Sequence, residues 1–317
     1  MNGSRSVFKS SRNFSTLAIA FGIVISSALG LLIDSGNLGW QIILAVIALS
    51  IGIPHGAVDH LVAMPRTSNL KFVALIIGYV LVAVISVLAI LHWNILGFQL
   101  VLVMSVLHFG FGDVAFIAEK DRLDNKARMS SKLLNMLAIT SGAVPVLIPL
   151  LKSSTARALE SINPELVAWA EDFAPQLKFL IFFFLAATII LLVKESRHRE
   201  LIDLIFLTGL ALVAPPLIAF AFYFGCWHAI RHTARLTLLL PKSISAAKEN
   251  RPIKSFASAV IPGLPALLGT ILVALIFSIK DSSNLDGSYL WYLLVVVWAL
   301  TVPHMMVTAR IDQKALA

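Results

Sequence analysis

Charged residues and cysteines are scarce in this 317-residue sequence. Only 13% of the residues are charged, and Cys226 is the single cysteine. One cysteine excludes a disulfide within the chain, and it excludes a zinc or iron–sulfur site built from several cysteines of one chain. Any metal bound by this protein must therefore be held mainly by histidine.

Hydrophobic residues take the place of the missing charge. They make up 58% of the chain, and the mean hydropathy is +0.89, which is far too apolar for a soluble domain. We predict an all-α fold, a polytopic transmembrane helical bundle of about eight to ten spans that forms one integral membrane domain over residues 1–317. Residues 1–14 are expected to be a cytoplasmic tail, and residues 152–176 an outer loop of amphipathic character.

Apolar runs define the expected spans. About 20 residues suffice to cross a bilayer, so the run from Leu201 to Leu240 is too long for one crossing. We interpret it as two spans that meet at Pro215–Pro216, because proline ends a helix. The ten spans are expected at about residues 17–33, 38–64, 70–91, 95–118, 133–151, 177–193, 201–215, 216–240, 256–279 and 289–309.

The net charge of +8 does not indicate nucleic-acid binding. Lysine and arginine lie in short clusters between apolar runs, which is the distribution that fixes the orientation of a membrane protein. The clusters fall at alternate ends of successive spans, so both termini are expected to be cytoplasmic. We predict a multi-pass protein of the cell inner (plasma) membrane with no nucleic-acid partner.

Two histidines lie one helical turn apart in the apolar stretch Gly225–Arg235. Residues four apart share a helix face, so His228 and His232 can reach the same ion. Ionisable residues inside membrane spans usually mark a site or a pathway. The alternative is a helix end at which Arg231, His232 and Arg235 face cytoplasmic water and lipid phosphate.

Three more histidines, His55, His108 and His304, lie at similar depth on other spans of the same direction. Imidazoles that share depth and direction can converge with His228 and His232 on one metal centre. His92 and His198 lie in short turns instead, so we expect both at the membrane interface.

Neutral imidazoles without a thiolate suit Fe(II), Zn or Cu. Asp59 follows His55 by four residues, and Asp113 follows His108 by five. Either carboxylate could accept the second ring N–H of a ligand histidine and fix its tautomer. The alternative for both is solvation at the interface or pairing with lysine and arginine.

Four short motifs, in this order along the chain, also carry a family resemblance. They are Pro54-His55-Gly56-Ala57-Val58-Asp59-His60, His108-Phe109-Gly110 with Asp113, Trp227-His228-Ala229-Ile230-Arg231-His232, and Pro303-His304-Met305. Together they resemble the Brp/Blh family of membrane β-carotene 15,15′-dioxygenases. The resemblance implies oxidative cleavage of β-carotene at its central double bond by iron and O₂, giving two molecules of all-trans-retinal.

The resemblance also implies a cofactor, site residues and partners. The cofactor is Fe(2+), with no catalytic residue beyond the metal centre. The implied ligands, by motif position, are His55, His108, His228 and His232. The residues expected beside the ligands or in the pocket wall are Asp59, His60, Asp113, Trp227, Arg231 and His304. The implied partners are β-carotene and O₂ as substrates, the lipid bilayer, and a retinal-binding rhodopsin as acceptor of the product.

Aromatic residues could line a channel for a flat polyene that enters from the bilayer. The alternative for each of them is ordinary packing in the core or against lipid. The candidates are Phe109, Phe111, Phe116, Phe220, Phe222, Phe224, Trp227 and Trp298.

Three other classes of membrane protein also use intramembrane histidines. A di-iron hydroxylase or desaturase needs a larger set of clustered histidines, whereas this sequence has one His-x-x-x-His pair. A b-type cytochrome needs axial histidine pairs on facing helices. A metal transporter should carry carboxylates in mid-span and broken helices along its path.

Overall fold

The computed structural model describes residues 2–32, 38–63, 68–280 and 285–317, and all regular structure in these ranges is helical. This confirms the predicted all-α fold. The α-helices are α1 (Asn2–Leu32), α2 (Gly39–Gly56), α3 (Asp59–Ala63), α4 (Asn69–His92), α5 (Asn94–Asp124), α6 (Ser131–Leu150), α7 (Ala156–Ile162), α8 (Ala174–Lys194), α9 (His198–Val213), α10 (Pro216–Phe220), α11 (Ala229–Leu236), α12 (Pro241–Lys248), α13 (Pro252–Val260), α14 (Leu264–Lys280) and α15 (Leu285–Leu316).

Seven segments of the described chain are long and apolar enough to cross a membrane. They are Gly39–Ala63, Asn69–His92, Asn94–Asp124, Ser131–Leu150, Ala174–Lys194, Pro252–Ile279 and Tyr289–Leu316. The predicted polytopic helical bundle is therefore confirmed. The other three expected spans correspond to α1, to α9, and to the stretch from α10 through α11, which are not among the seven. The orientation of the termini stays a prediction.

Burial separates central from peripheral helices. In α5 and in α6, 61% of the most apolar window is buried, against 11% in α4 and 17% in the α13–α14 segment. Apolar side chains that are exposed on long hydrophobic helices face lipid when the bundle lies in a bilayer. The centre of the bundle is therefore built around α5 and α6, and α4 and α14 lie at its edge.

Two glycines let α5 and α6 approach closely. A Cβ on Gly110 would lie 1.8 Å from the carbonyl oxygen of Ala138, and one on Gly142 would lie 2.0 Å from that of Val106. Both contacts are with backbone, which cannot swing aside. Glycine at 110 therefore allows the α5 turn that carries His108 to pack directly against the backbone of α6.

The N-terminal segment is helical from its second residue. Val7 and Phe8 are buried, and the Phe8 ring stacks on Phe116 with 5.0 Å between centroids. Residues 2–14 are thus the packed first half of α1 and not a loose tail. Their cytoplasmic location stays a prediction.

Short helices make up much of the segment at 152–176. Two 3₁₀ turns, Ser153–Thr155 and Pro164–Ala168, flank α7. Leu159, Leu166 and Trp169 are buried, so the segment packs against the end of the bundle. Its predicted position on the outer side is not tested by this packing.

The prolines at 215 and 216 divide the long apolar run where the sequence predicts. α9 ends at Val213, and α10 begins at Pro216. A π-helical segment, Ala221–His228, then leads into α11. π-helical turns are rare and frequently lie at functional sites, and this one ends at His228.

Candidate metal centre

Five histidines meet in the interior of the bundle. His55 lies in the last turn of α2, His108 lies on α5, His228 and His232 lie on either side of the start of α11, and His304 lies on α15. Each is only 3–5% exposed. Their ring centroids are separated by 4.9 Å (His108 to His228 and to His304), 5.0 Å (His55 to His232) and at most 6.1 Å among the measured pairs. We call this group the histidine centre.

Three members of the histidine centre have the spacing of a metal site. Nitrogen atoms of His55, His108 and His228 all lie within 4.8 Å of one another. The His232 ring is 5.0 Å from that of His55 and 5.8 Å from that of His228. A single ion among these rings could be reached from three or four directions, which is the number of histidine ligands typical of metal sites in proteins.

The ring nitrogens have the chemistry of a metal site. In the part of the chain that the structure describes, no hydrogen-bond partner is present for Nδ1 of His55, Nε2 of His228, Nε2 of His304, or either nitrogen of His232. A buried polar atom without a partner costs about 1–3 kcal/mol. Coordination to an ion would satisfy one such nitrogen on each ring, so the residues present fit a bound metal.

The alternative of a solvated helix end is wrong. Arg231, His232 and Arg235 are 2%, 3% and 1% exposed, so none faces water or lipid phosphate. Arg235 pairs with Glu119 (2.9 Å) and Asp312 (2.6 Å). Arginines in an apolar run need carboxylate partners, and here the partners come from α5 and α15.

The hydrogen-bond partners of Asp59 are His304 and Tyr79, not His55 as expected from the spacing. Its carboxylate accepts hydrogen bonds from Nδ1 of His304, at 2.8 and 3.0 Å, and from the hydroxyl of Tyr79, at 3.0 Å. The physical reason is that α2 ends at Gly56 and a turn precedes α3, so the shared face of a continuous helix is lost. The sequence analysis missed Tyr79. Its position in an apolar span was the available signal, because a buried tyrosine hydroxyl usually has a hydrogen-bond partner.

Asp113 also has a different partner from the one expected. Five residues along a helix correspond to a rotation of about 140°, so Asp113 points away from the face of His108. Its two carboxylate oxygens share the single N–H of Trp227 Nε1, at 2.8 and 2.9 Å, and the carboxylate lies 3.6 Å from Arg231. The neighbour of His108 Nδ1 is instead the Thr308 hydroxyl, at 3.4 Å.

A buried ion network lies directly behind the histidine centre. Arg231 donates to Ser15 (2.9 Å) and to Asp203 (3.2 Å), and its guanidinium covers the Trp227 ring. Arg12 bonds to the same Asp203 (2.8 Å) and to Glu200 (2.9 Å). This network comprises Arg12, Asp113, Glu200, Asp203 and Arg231. Of these residues, the sequence singled out Asp113 and Arg231, while the partners on α1 and α9 were missed.

A cavity of about 360 Å³ adjoins the histidine centre, and its wall is mostly apolar. Five histidines line it: His55, His60, His108, His228 and His304. The predicted aromatic lining is correct for Phe109, Phe220, Phe224 and Trp298. It is wrong for Phe111, Phe116, Phe222 and Trp227. Phe116 instead stacks on Phe8, and Trp227 lies under Arg231, so both serve packing behind the site.

Comparison with known proteins is consistent with this arrangement. A family model described as "Beta-carotene 15,15'-dioxygenase" matches residues 46–312, which is most of the chain. The chain belongs to the β-carotene 15,15′-dioxygenase family. The match contains all five members of the histidine centre, and it confirms the resemblance carried by the four motifs. Arg12 and Ser15, which complete the ion network from α1, lie before the matched region of this dioxygenase-family chain.

Two relatives of this dioxygenase-family chain are known by name. The chain is 29% identical over 272 residues to "Beta-carotene 15,15'-dioxygenase" of an uncultured marine bacterium 66A03, covering 81% of this chain and 88% of the relative. It is 25% identical over 300 residues to "Probable beta-carotene 15,15'-dioxygenase Blh" of Halobacterium salinarum, covering 84% and 82%. No solved structure matches the chain.

Proposed function

We propose that this protein cleaves β-carotene at the central 15,15′ double bond with O₂, using Fe(2+), and releases two molecules of all-trans-retinal. The observation that carries the proposal is a buried histidine centre that opens into an apolar cavity, in a chain of this family. The reaction balances when the carbon–carbon double bond breaks and each new aldehyde receives one oxygen atom of O₂.

Four side chains would hold the iron: His55, His108, His228 and His232. Iron(II) bound by histidines with open positions supplies the activation of O₂. The protein supplies burial, because these four rings are no more than 5% exposed. A dry site protects reactive species from water and strengthens every electrostatic contact inside it.

The cavity wall would orient the polyene against the histidine centre. The Phe109 ring lies 4.4 Å from the His228 ring, and the Phe224 ring is stacked at 6.1 Å from it. Aromatic rings in the cavity wall can pack against a flat conjugated chain. Ile76 of α4 and Ala266 of α14 also line the cavity, and both helices lie at the edge of the bundle. A carotene dissolved in the bilayer would enter sideways between them.

Co-expression in cells that make β-carotene, followed by analysis of the products, tests the proposal. Retinal should appear in membranes that contain the wild-type chain and also the His92→Ala variant, since His92 packs on Trp93 outside the histidine centre. It should be absent with His228→Ala. An intact carotene pool, or aldehydes of another chain length, would contradict the proposal. Delivery of the product to a retinal-binding rhodopsin and location in the plasma membrane are part of the same proposal.

A further inference from the structure

His304 lies as deep in the histidine centre as the residues that motif position assigns to the metal. Its ring centroid is 4.9 Å from that of His108, 5.4 Å from His55 and 5.5 Å from His232. The two ring separations measured among His55, His108 and His228 are 4.9 and 5.2 Å, nearly the same range. His304 is 5% exposed and lines the cavity. The ring separations of His304 are therefore similar to those of the three histidines, while the group whose ring nitrogens lie within 4.8 Å of one another comprises His55, His108 and His228.

The hydrogen bonds of His304 determine which ring nitrogen is free. Nδ1 lies 2.8 and 3.0 Å from the two oxygens of the Asp59 carboxylate. An ionised carboxylate only accepts, so Nδ1 carries the proton and Nε2 keeps its lone pair. That Nε2 is buried and has no hydrogen-bond partner among residues 2–32, 38–63, 68–280 and 285–317.

Tyr79 holds the carboxylate from a third helix. Its hydroxyl donates to Asp59 at 3.0 Å and lies 3.4 Å from the carbonyl oxygen of Leu300, one turn before His304 on α15. A carboxylate that fixes the tautomer and direction of a ligand histidine is the recurring arrangement around protein metal sites. His232, by contrast, has no partner for either nitrogen in the described chain.

We infer that His304 is a fifth metal-binding imidazole whose Nε2 faces the ion, and that Asp59 and Tyr79 are positioning residues that act through it. This goes beyond the four ligands given by motif position, and it rests on the metal centre of the proposed function. Asp59 fixes which nitrogen is offered, and Tyr79 fixes the carboxylate.

Purified protein in detergent, loaded with Fe(II) or Co(II), allows a direct test. X-ray absorption counts the imidazole ligands, and competition with a chelator gives the metal affinity. His304→Ala should lose one imidazole and bind metal more weakly, and added imidazole should restore both because it can occupy the vacated space beside the cavity. His92→Ala is the matched control, and it should leave the imidazole count and the affinity unchanged.

The positioning residues have a separate signature. Asp59→Asn should weaken metal affinity by about 10- to 100-fold while the imidazole count stays that of the wild type, because the ligand is retained and only its orientation is released. Tyr79→Phe should weaken affinity in the same direction by less. Asparagine has nearly the same size as aspartate, so Asp59→Asn tests the inference even if His304→Ala proves unstable.

Two results would overturn the inference. One is an unchanged imidazole count and affinity in His304→Ala, and the other is wild-type affinity in Asp59→Asn. The proposed function fails independently: a wild-type protein that binds metal through His304 yet forms no retinal refutes the reaction and leaves the fifth ligand standing. If the wild type forms retinal but its metal binding does not depend on His304, the fifth ligand is refuted and the reaction stands.

Discussion

The guanidinium carbon of Arg231 lies 3.3 Å from the ring centroid of Trp227, the residue that immediately precedes His228. The same Trp227 donates to Asp113, and Asp113 lies 3.6 Å from Arg231. The Trp227 ring, the Asp113 carboxylate and the Arg231 guanidinium therefore each contact the other two. This set fixes the rotation of the helix that presents His228 and His232, so the histidine centre depends on charges that never touch it.

Replacement of Arg231 by methionine should therefore destabilise the protein strongly. Removing one partner of a buried ion pair leaves the other charge uncompensated, which costs about 3–5 kcal/mol. Unfolding by denaturant in detergent measures the effect. Arg251→Met is the control, because Arg251 is 63% exposed and its pair with Glu249 contributes about 1 kcal/mol or less. Equal losses in the two variants would argue against the network.

Asp113→Asn should lower stability without loss of metal. Asp113 accepts from Trp227 and faces Arg231, not a ring of the histidine centre. We expect a lower unfolding midpoint and an unchanged metal content per chain. Asp59 contacts His304, so Asp59→Asn should instead lower the metal content and leave the unfolding midpoint nearly unchanged. A folded Asp113→Asn protein that lacks metal would mean that the carboxylate acts on the centre directly.

His228→Ala and His232→Ala should each abolish retinal formation and lower the metal content. The wild type should carry about one iron per chain, because the histidine centre contains the one group of possible metal ligands found among the described residues. Metal analysis of the three proteins in matched membranes checks this. Zinc alone in an active protein would refute the iron assignment, and two irons per chain would revive the di-iron hydroxylase class.

Gly110→Ala should separate α5 from α6. The new methyl group would lie 1.8 Å from the Ala138 carbonyl oxygen, and overpacking of this kind costs about 1–3 kcal/mol. At Gly78, on the exposed helix α4, a Cβ would meet nothing within 4 Å. Gly78→Ala should thus be neutral or stabilising by up to about 1 kcal/mol. Thermal unfolding of both variants tests whether glycine at 110 is required for packing.

Val297→Trp should block the substrate cavity and leave the metal in place. Val297 lines the cavity on α15, two turns before His304. A larger ring there should reduce retinal formation several-fold at unchanged iron content. Leu100 on α5 is 55% exposed and does not line the cavity, so Leu100→Trp adds the same ring elsewhere and should retain activity. Full turnover in Val297→Trp would move the substrate site elsewhere.

The sequence alone determined the class of fold and the members of the histidine centre. Long apolar runs identify membrane helices without knowledge of their neighbours, and Pro215–Pro216 ends a helix through local sterics. Histidines in such runs are rare, so their common depth was enough to group His55, His108 and His228. The close packing of α5 against α6 at Gly110 and Gly142 is visible only in the tertiary structure.

Tertiary structure decided the partners of the histidines. Asp59 hydrogen-bonds to His304 and not to His55 because the chain turns between α2 and α3. This turn spans only two residues, and the spacing of residues in the sequence does not reveal it. The pairing of Arg231 with Asp203 joins α11 to α9, and Arg12 joins from α1. Such contacts depend on how helices distant in sequence pack side by side, and periodicity within one helix carries no information about that.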